Sequence, residues 1–279
     1  MNFIIKQESL LLDYLYENIK GKSKNNIKNY LKDSVYVNNK KISKFDYKLK
    51  PGDKLTIIIK KVKNELNNID IIYEDKDFLV VNKPCGVLTI ATNKEREKTL
   101  YHYALEYLSK KRQQIFVVHR LDKDTSGVVI FVKNIKMKNI LQDNWNELVT
   151  LRKYIAIVHG NVNNSGTLKS YLSENKNLFV YETDSSHGKL AITKYKKIKS
   201  NNKYSLVEIE ILTGRKNQIR VQFANIGNPI VGDKKYGTND KTVKQMFLHA
   251  EEIRLRHPIT KKEMHFVAQI DSSFIKLMK

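Results

Sequence analysis

Apolar positions in the first sixty residues follow helical spacing and then strand spacing. Two groups recur three or four residues apart, Leu11, Leu15 and Ile19 and then Ile27, Tyr30 and Leu31. This spacing predicts two short amphipathic helices, the second beginning after Ser23. Two later groups alternate, Val35 and Val37 and then Leu55, Ile57 and Ile59. Because Asn38-Asn39 and Pro51-Gly52-Asp53 supply turn signals beside them, a small sheet is predicted to follow the helices.

A polar segment separates this pattern from the rest of the chain. Residues 62–68 show no hydrophobic period, which indicates a linker. A new pattern begins near Ile69, with two apolar runs on either side of an acidic turn in residues 71–81. We therefore predict a small α+β domain over residues 1–62, a linker over residues 63–69 and a larger domain over residues 70–279.

The larger domain is predicted to consist mainly of strands. Beyond the strand pair in residues 71–81, further apolar runs predict strands at 116–119, 128–132, 154–159, 204–212 and 219–223. Helical spacing occurs near residues 99–109 and 136–147. Because strands outnumber helices and rarely alternate with them, we expect an α+β fold with a large, mainly antiparallel or mixed sheet.

The charge of the chain points to a polyanionic partner. The 279 residues include 51 Lys and Arg against 29 Asp and Glu, a formal charge of +22. Such an excess attracts nucleic acid at long range. On the second predicted helix Lys24, Lys28 and Lys32 lie four residues apart and therefore on one stripe, which could contact phosphates while the apolar stripe packs.

Other features of the composition indicate where the protein is located and whether it needs a cofactor or a metal. Cys85 is the only cysteine, so no disulfide can form within the chain. No apolar run approaches the ~20 residues of a membrane span, and Lys6 and Glu8 interrupt what would be a signal-peptide core. We expect a cytoplasmic protein that does not contact membranes. The sequence has no phosphate-binding glycine loop and no Cys/His cluster at zinc spacing, so we expect neither a cofactor nor a metal.

Asp122 lies between two of the predicted strands, 116–119 and 128–132. A carboxylate on a loop between two buried strands is rigidly aimed and accessible, as a catalytic acid, base or nucleophile must be. An isolated Asp in a turn more often forms an Asx-turn or a cap. The neighbouring residues distinguish these interpretations.

The run His119-Arg120-Leu121-Asp122, followed by Thr125-Ser126-Gly127, resembles the signature of the RluA family of pseudouridine synthases. Other segments match motifs of that family in the same order: Val81-Asn82-Lys83-Pro84-x-Gly86, Arg152-Lys153-Tyr154-x-Ala156, Gly188-Lys189-x-Ala191-x-Thr193-x-Tyr195, Thr213-Gly214-Arg215-x-x-Gln218-Ile219-Arg220-Val221, Pro229-Ile230-x-Gly232-Asp233-x-x-Tyr236-Gly237 and Leu248-His249-Ala250. The resemblance extends over about residues 70–270. The pattern in residues 5–62 resembles an S4 RNA-binding domain.

The resemblance implies an enzyme that isomerises uridine to pseudouridine in RNA. It makes Asp122 the catalytic carboxylate and Arg220 the cation that pairs with it, with Arg215 as the second candidate for that pairing. Tyr154 would stack on the extruded base and assist proton removal from C5. Arg120 would fill the place that the base leaves in the RNA.

The same resemblance implies further contacts and a target. We expect His119 and Arg215 to contact RNA, together with the lysine stripe of the first domain. Members with an S4 domain typically modify large-subunit ribosomal RNA, so ribosomal RNA is the expected partner and transfer RNA the alternative. We expect a monomer. Asn217 and Gln222 stand where the family usually has histidines, which leaves the local hydrogen bonding open.

Two readings from other classes compete with the enzyme. Asp122-Lys123-Asp124-Thr125 also resembles the loop of haloacid-dehalogenase-type phosphatases, which bind Mg²⁺ and require parallel strands alternating with helices. The chain could also be a non-catalytic RNA-binding protein that uses only its basic module. The intact Asp122, Tyr154 and Arg220 argue against this second reading.

Overall fold

A computed structural model describes residues 2–19, 27, 35–38, 40–42, 44–57, 70–93, 95–237 and 243–279. The chain forms two compact units, Met1–Asn67 and Asn68–Lys279. Of the second predicted helix only Ile27 is among the described residues, and it is buried. The predicted RNA contacts Lys24, Lys28 and Lys32 and the predicted linker lie outside the described residues.

In its described residues, the amino-terminal unit packs helix α1 against short antiparallel strands. Its elements are β1 (Asn2–Ile4), β2 (Ser9–Leu10), α1 (Leu11–Asn18), β3 (Val35–Val37), β4 (Lys40–Lys41), β5 (Lys48–Leu49) and β6 (Lys54–Ile57). Four strands form a sheet in the order β1-β6-β3-β4, and β2 pairs with β5. Leu11 and Leu15 are fully buried on one face of α1. Strand β1 was not predicted, because three residues are too few for an alternation to be recognised.

The second unit is built on an eleven-stranded sheet. Its elements are β7 (Asp70–Glu74), β8 (Phe78–Lys83), α2 (Leu100–Ser109), β9 (Phe116–Val117), β10 (Ser126–Val132), α3 (Ile135–Asp143), α4 (Trp145–Leu148), β11 (Val149–His159), β12 (Ser165–Glu174), β13 (Val180–Thr183), β14 (Lys189–Ser200), β15 (Tyr204–Ile211), α5 (Gln218–Asn225), β16 (Leu248–Arg256), β17 (Glu263–Val267) and α6 (Ser272–Leu277). The strand order is β13-β12-β14-β15-β11-β16-β10-β8-β7, with β17 beside β16 and β9 beside β10.

Most neighbouring strands of this sheet run antiparallel, whereas β10 and β16 pair in parallel at Ser126↔His249 and Gly127↔Ala250. The predicted α+β fold with a large, mainly antiparallel mixed sheet is therefore confirmed. Strand β10 lies between β16 and β8 and is buried from Gly127 to Val132. Strand β15 alternates between buried and partly exposed residues along its whole length. Its burial matches the period of two that predicts a strand.

One predicted strand is wrong, because residues 219–223 belong to helix α5. Every residue from Gln218 to Phe223 is buried, so the helix has no polar face to reveal its period. The alternation of Ile219, Val221 and Phe223 with polar residues imitates a strand. The predicted helix 136–147 is also divided at Asn144 into α3 and α4.

Side-chain caps fix the starts of three helices. Thr99, Asn134 and Asp271 each accept a backbone hydrogen bond from the first turn of α2, α3 and α6 respectively. Such caps stabilise a helix by satisfying donors that have no partner within it. Among the described residues, no helix is both long enough and apolar enough to cross a membrane.

Candidate active site

Asp122 lies on the loop between β9 and β10, and hydrogen bonds hold the backbone of this loop. The Thr89 hydroxyl donates to the carbonyl of Leu121 at 2.8 Å. The Lys83 ammonium donates to the carbonyl of Lys123 at 2.9 Å, and the Cys85 thiol donates to the carbonyl of Asp124 at 3.0 Å. Residues 83–89 therefore support the loop on both sides of the carboxylate.

Lys83 is a fully buried cation whose hydrogen bonds go to backbone oxygens. Besides Lys123 its ammonium reaches the carbonyls of Pro84 at 3.0 Å and Val87 at 2.7 Å. Burial lowers the pKa of Lys83 to about 8, because desolvation disfavours the charged form. The three carbonyls use all three donors of the ammonium, so Lys83 joins the end of β8 to the Asp122 loop.

Arg220 connects the Asp122 loop to a second carboxylate. From the first turn of α5 its Nη1 lies 3.2 Å from Oδ2 of Asp122. Its Nε and Nη2 donate to Oδ2 and Oδ1 of Asp233 at 2.7 and 2.8 Å. The Asp233 pair has two parallel hydrogen bonds and is the stronger of the two contacts.

The three charges differ in their burial. The Asp233 side chain is 0% exposed and that of Arg220 is 9% exposed, whereas that of Asp122 is 31% exposed. Burial alone would raise the pKa of Asp233, but hydrogen bonds and the charge of Arg220 hold it below its ordinary value. Burial alone would lower the pKa of Arg220, but Asp233 and Asp122 raise it. Arg220 is therefore a permanent cation anchored on Asp233, and its third nitrogen is directed at Asp122.

Tyr154 lies on β11 beside Asp122 in a cavity of about 510 Å³. Burial, reinforced by the negative charge of Asp122, raises the pKa of Tyr154 to about 12, although Arg152 opposes the shift. The phenol is therefore protonated at neutral pH. A neutral aromatic face beside a carboxylate can stack on a nucleobase.

Cationic side chains line the same cavity around the carboxylate: Arg120, Arg152, Arg215 and Lys216. Arg120 is exposed on the Asp122 loop, as a residue that reaches into RNA must be. Arg152 and Arg215 donate to the carbonyls of Leu212 and Leu190 at 2.9 Å each, so both guanidinium groups are held by backbone oxygens. This arrangement suits a polyanion that brings one base to Asp122.

His119 also lines the cavity, but its ring has a structural contact. Its Nε2 accepts a hydrogen bond from the backbone N–H of Ile130 at 2.9 Å, and the ring packs 4.9 Å from that of Trp145. Burial lowers its pKa to about 4, so the ring is neutral at pH 7. The contact fixes the loop against β10, while the expected contact of His119 with RNA stays a prediction. Among the described residues no cluster of His, Cys, Asp or Glu is arranged to hold a metal ion.

The RNA pseudouridylate synthase family model matches residues 77–225, just over half of the chain. The chain belongs to this family. The match includes Asp122, Tyr154 and Arg220 and ends before Asp233. The mainly antiparallel sheet and this membership exclude the phosphatase reading and the non-catalytic reading.

Curated relatives of this pseudouridine synthase cover most of its length. An uncharacterised RNA pseudouridine synthase of Mycoplasma pneumoniae is 36% identical over 255 residues, 86% of this chain and 82% of the relative. A ribosomal large subunit pseudouridine synthase C of Rickettsia felis is 35% identical over 250 residues, 87% of this chain and 80% of the relative. An uncharacterised RNA pseudouridine synthase of Bacillus subtilis is 32% identical over 271 residues, 92% and 89% of the two chains.

A solved structure shares the fold of this synthase. The human RNA pseudouridylate synthase domain-containing protein 4 superposes with a TM-score of 0.60 at 24% identity, covering 74% of this chain and 90% of the human one. At this identity the likeness concerns the fold alone.

Sequence reasoning gave no role to Asp233 and Lys83, which support the Asp122–Arg220 contact. Asp233 appeared in a matched motif without a role, although it makes the closest contacts with Arg220. Lys83 likewise appeared without a role. A signal existed for Asp233, because a carboxylate directly after an apolar pair and a glycine marks a tight turn beside a buried strand. Its partner, however, could not be identified without the tertiary contact.

Proposed function

We propose that this pseudouridine synthase modifies uridines of large-subunit ribosomal RNA with Asp122 as its catalytic carboxylate. The observation that carries the proposal is the contact of Asp122 with Arg220, beside Tyr154 in the cation-lined cavity. Among the described residues that line this cavity, Asp122 is the one with a carboxylate. A partly exposed carboxylate next to a fixed cation can be ionised and still reach a substrate.

The reaction rearranges one nucleotide without gaining or losing atoms. The N1–C1′ bond of uridine breaks, the uracil turns in place, and C5 bonds to C1′. The proton leaves C5 and N1 is protonated. Asp122 acts on the ribose, either at C1′ or by removing the 2′ hydrogen, and either route places the carboxylate against the sugar. Tyr154 stacks on the free uracil with its phenol beside C5, where the hydroxyl oxygen accepts the C5 proton as the hydroxyl passes its own proton to solvent.

The target base must leave its stack before Asp122 can reach its sugar. Extrusion costs roughly a few kcal/mol of lost stacking. The exposed Arg120 offsets part of that cost by occupying the space left in the RNA, since a planar cation both stacks and donates hydrogen bonds. Arg152 and Arg215, which line the cavity, supply positive charge for phosphates near the extruded nucleotide.

Two observations favour ribosomal RNA over transfer RNA. The relatives from Rickettsia are named ribosomal large subunit pseudouridine synthases C. In addition, the first sixty residues carry 13 Lys against 6 acidic residues, as an auxiliary RNA-binding unit would. We propose that this unit is an S4-like RNA-binding domain. The protein is expected to act in the cytoplasm as a monomer.

The test compares Asp122→Asn with Asp124→Asn, a matched change in the same loop. Each purified protein is incubated with transcripts of large-subunit ribosomal RNA and of transfer RNA labelled with tritium at uridine C5. We expect Asp122→Asn to lower tritium release by a factor of at least roughly 10²–10⁴ while RNA affinity is kept, because shape is preserved and charge is lost. Asp124→Asn should retain turnover. Substantial turnover by Asp122→Asn would refute the catalytic assignment, and release from transfer RNA alone would refute the ribosomal target.

A further inference from the structure

Asn217 touches the same guanidinium nitrogen that faces Asp122. Its Oδ1 accepts from Nη1 of Arg220 at 3.2 Å, the nitrogen that also contacts Oδ2 of Asp122 at 3.2 Å. On its other side its Nδ2 donates to the hydroxyl of Tyr236 at 3.0 Å. The amide is 8% exposed, so water cannot readily replace either partner.

The chemistry of the partners settles which way the amide points. A guanidinium has donors and no acceptor, so the oxygen of Asn217 must face Arg220. The nitrogen is then left to face Tyr236, whose hydroxyl also accepts from the backbone N–H of Val180 at 3.0 Å. The Tyr236 ring lies 5.2 Å from the guanidinium carbon of Arg220. Tyr236 therefore fixes Asn217 and also covers Arg220.

The backbone at Asn217 explains why this residue type can stand here. Asn217 has a φ of 52°, in the left-handed region, immediately before the first residue of α5. Asn and Gly tolerate that region better than most residues, and His is also enriched there. The conformation turns the side chain back toward Arg220, one turn further along the helix.

We propose that Asn217 is a positioning residue that holds Nη1 of Arg220 at Asp122, with Tyr236 as its support. Asp233 fixes the Nε and Nη2 side of the guanidinium, and Asn217 fixes the rotation of the remaining nitrogen. The inference rests on the proposed role of Asp122. Asn217 stands where the family usually has a histidine. Because an amide does not titrate, the positioning group in this chain keeps the same charge at every pH.

Gln222, the other amide in place of a usual histidine, provides a matched control. Its Nε2 donates to the hydroxyl of Ser170 at 2.9 Å and to the carbonyls of Leu168 and Ala191 at 3.3 and 3.1 Å. It is buried on the same helix but has no contact with Arg220 or Asp122 among those recorded for the described residues. Gln222→Met should therefore lower the melting temperature without a specific effect on kcat.

The first experiment removes the amide while keeping the backbone. Asn217→Gly preserves access to the left-handed conformation and deletes both hydrogen bonds. On the tritiated ribosomal and transfer RNA transcripts we expect kcat to fall about tenfold, equivalent to ~1.4 kcal/mol of lost transition-state stabilisation, with KM within about twofold. Tyr236→Phe should produce a smaller fall of the same kind. Wild-type kcat in Asn217→Gly, or an equal fall in folded Gln222→Met, would overturn the proposal.

The second experiment replaces the amide with an imidazole. In Asn217→His the neutral imidazole can accept from Arg220 and donate to Tyr236, whereas the protonated ring can only donate and repels the guanidinium. The charged or titratable groups that contact it, its partners or the same cavity include Arg220, Asp122, Asp233, Tyr236, Lys216 and Lys235, all present in the wild type as well. The ratio of variant to wild-type kcat therefore cancels their ionisations.

Burial and the adjacent guanidinium both lower the pKa of the introduced ring, so it is neutral at pH 8 and we expect that ratio to be near one there, with KM unchanged. A ratio as low as that of Asn217→Gly in folded Asn217→His would overturn the proposal, because a neutral ring that supplies the same acceptor and donor should restore the position of Arg220. Asp122→Asn is measured in the same assay. If it stays active, the proposed catalytic role fails. If it is inactive and Asn217→Gly is unaffected, only the positioning role fails.

Discussion

Arg220 has two carboxylate partners that differ in burial. We expect the contact with Asp233 to matter mainly for stability and the contact with Asp122 mainly for activity. Asp233 is wholly buried, whereas Asp122 is 31% exposed and can be solvated in part. If Arg220 is removed, the buried charge that is left without a partner is therefore mainly that of Asp233. Removing one member of such a pair costs about 3–5 kcal/mol.

Arg220→Met is accordingly expected to be inactive and less stable by about 3–5 kcal/mol in chemical denaturation. The double change Arg220→Met with Asp233→Asn should recover most of that stability, because the new amide oxygen still accepts from the backbone of Lys235 and Tyr236. It should remain inactive, because Asp122 still lacks its cation. If Arg220→Met turns over normally and Arg215→Met does not, the roles of the two arginines are exchanged.

The sequence indicates which residues could be catalytic but not how they are held. Asp122 could be predicted because both flanking strands are apolar and its motif is long. Asp233 and Lys83 could not be assigned, because their partners lie 13 and 40 residues away and their roles exist only once the chain has folded. Asn217 was recognised as a departure, although its effect depends on a left-handed backbone that sequence spacing does not reveal.

At the level of the elements, Gly127 determines how closely β10 approaches β16. It has a φ of 112°, and a Cβ there would lie 2.1 Å from the carbonyl oxygen of Ala250. Gly127→Ala is therefore expected to destabilise the protein by roughly 3 kcal/mol or more, combining backbone strain with overpacking.

Gly86→Ala is the control for Gly127→Ala, since Gly86 has a φ of 82° but no atom within 4 Å of the added Cβ. It should cost only about 1–2 kcal/mol. Thermal or denaturant unfolding of both variants measures the difference. Equal losses would show that positive φ alone, rather than the parallel contact, accounts for the effect.

Glu74 joins β7 to helix α2 and to residues that follow α2 and β10. Its carboxylate accepts from Lys133 at 2.8 Å, Lys111 at 2.9 Å and Tyr107 at 2.7 Å. Burial would raise its pKa, but these hydrogen bonds lower the pKa to about 2 from 4.5. The depressed value means that Glu74 contributes stability above pH 4.5 and that this contribution is lost as the pH falls through about 2.

Glu74→Gln should therefore lower the free energy of unfolding at pH 7 by roughly 2–3 kcal/mol and reduce its decline between pH 4.5 and pH 2. Denaturant unfolding at several pH values measures both effects. Glu147→Gln, an exposed carboxylate on α4, is the control and should leave the curve unchanged. If the free energy of unfolding of Glu74→Gln declines between pH 4.5 and pH 2 as much as that of the wild type, other carboxylates cause the decline.

Element prediction succeeded for β15, where burial is one-sided, and failed for α5, where it is complete. Strand β15 could be predicted to within one residue because its two faces differ in burial. Helix α5 was mistaken for a strand because it is buried all round, so tertiary packing rather than an amphipathic period determines its structure.

At the scale of the whole molecule, deletion of residues 1–67 tests which class of RNA the protein modifies. The basic unit should add phosphate contacts, each contributing about 0.7–0.9 to the slope of log affinity against log salt. Without it we expect a flatter slope and less efficient modification of intact ribosomal RNA, with turnover kept on a short fragment at high concentration. Equal losses on both substrates would show that the unit only stabilises the fold. Equal activity of both proteins on ribosomal RNA, with transfer RNA also modified, would contradict the ribosomal target.

The position of β16 between β11 and β10 bears on how the protein is made. Strand β16, which joins β11 to β10, ends at Arg256, so the ribosome must synthesise the chain through this residue before the catalytic unit can close. The last described strand of the amino-terminal unit ends about 200 residues earlier, at Ile57. At about 5–20 residues per second the two events are separated by roughly 10–40 s. During translation the basic unit, for which we propose RNA binding, therefore emerges well before the chain gains its catalytic pocket.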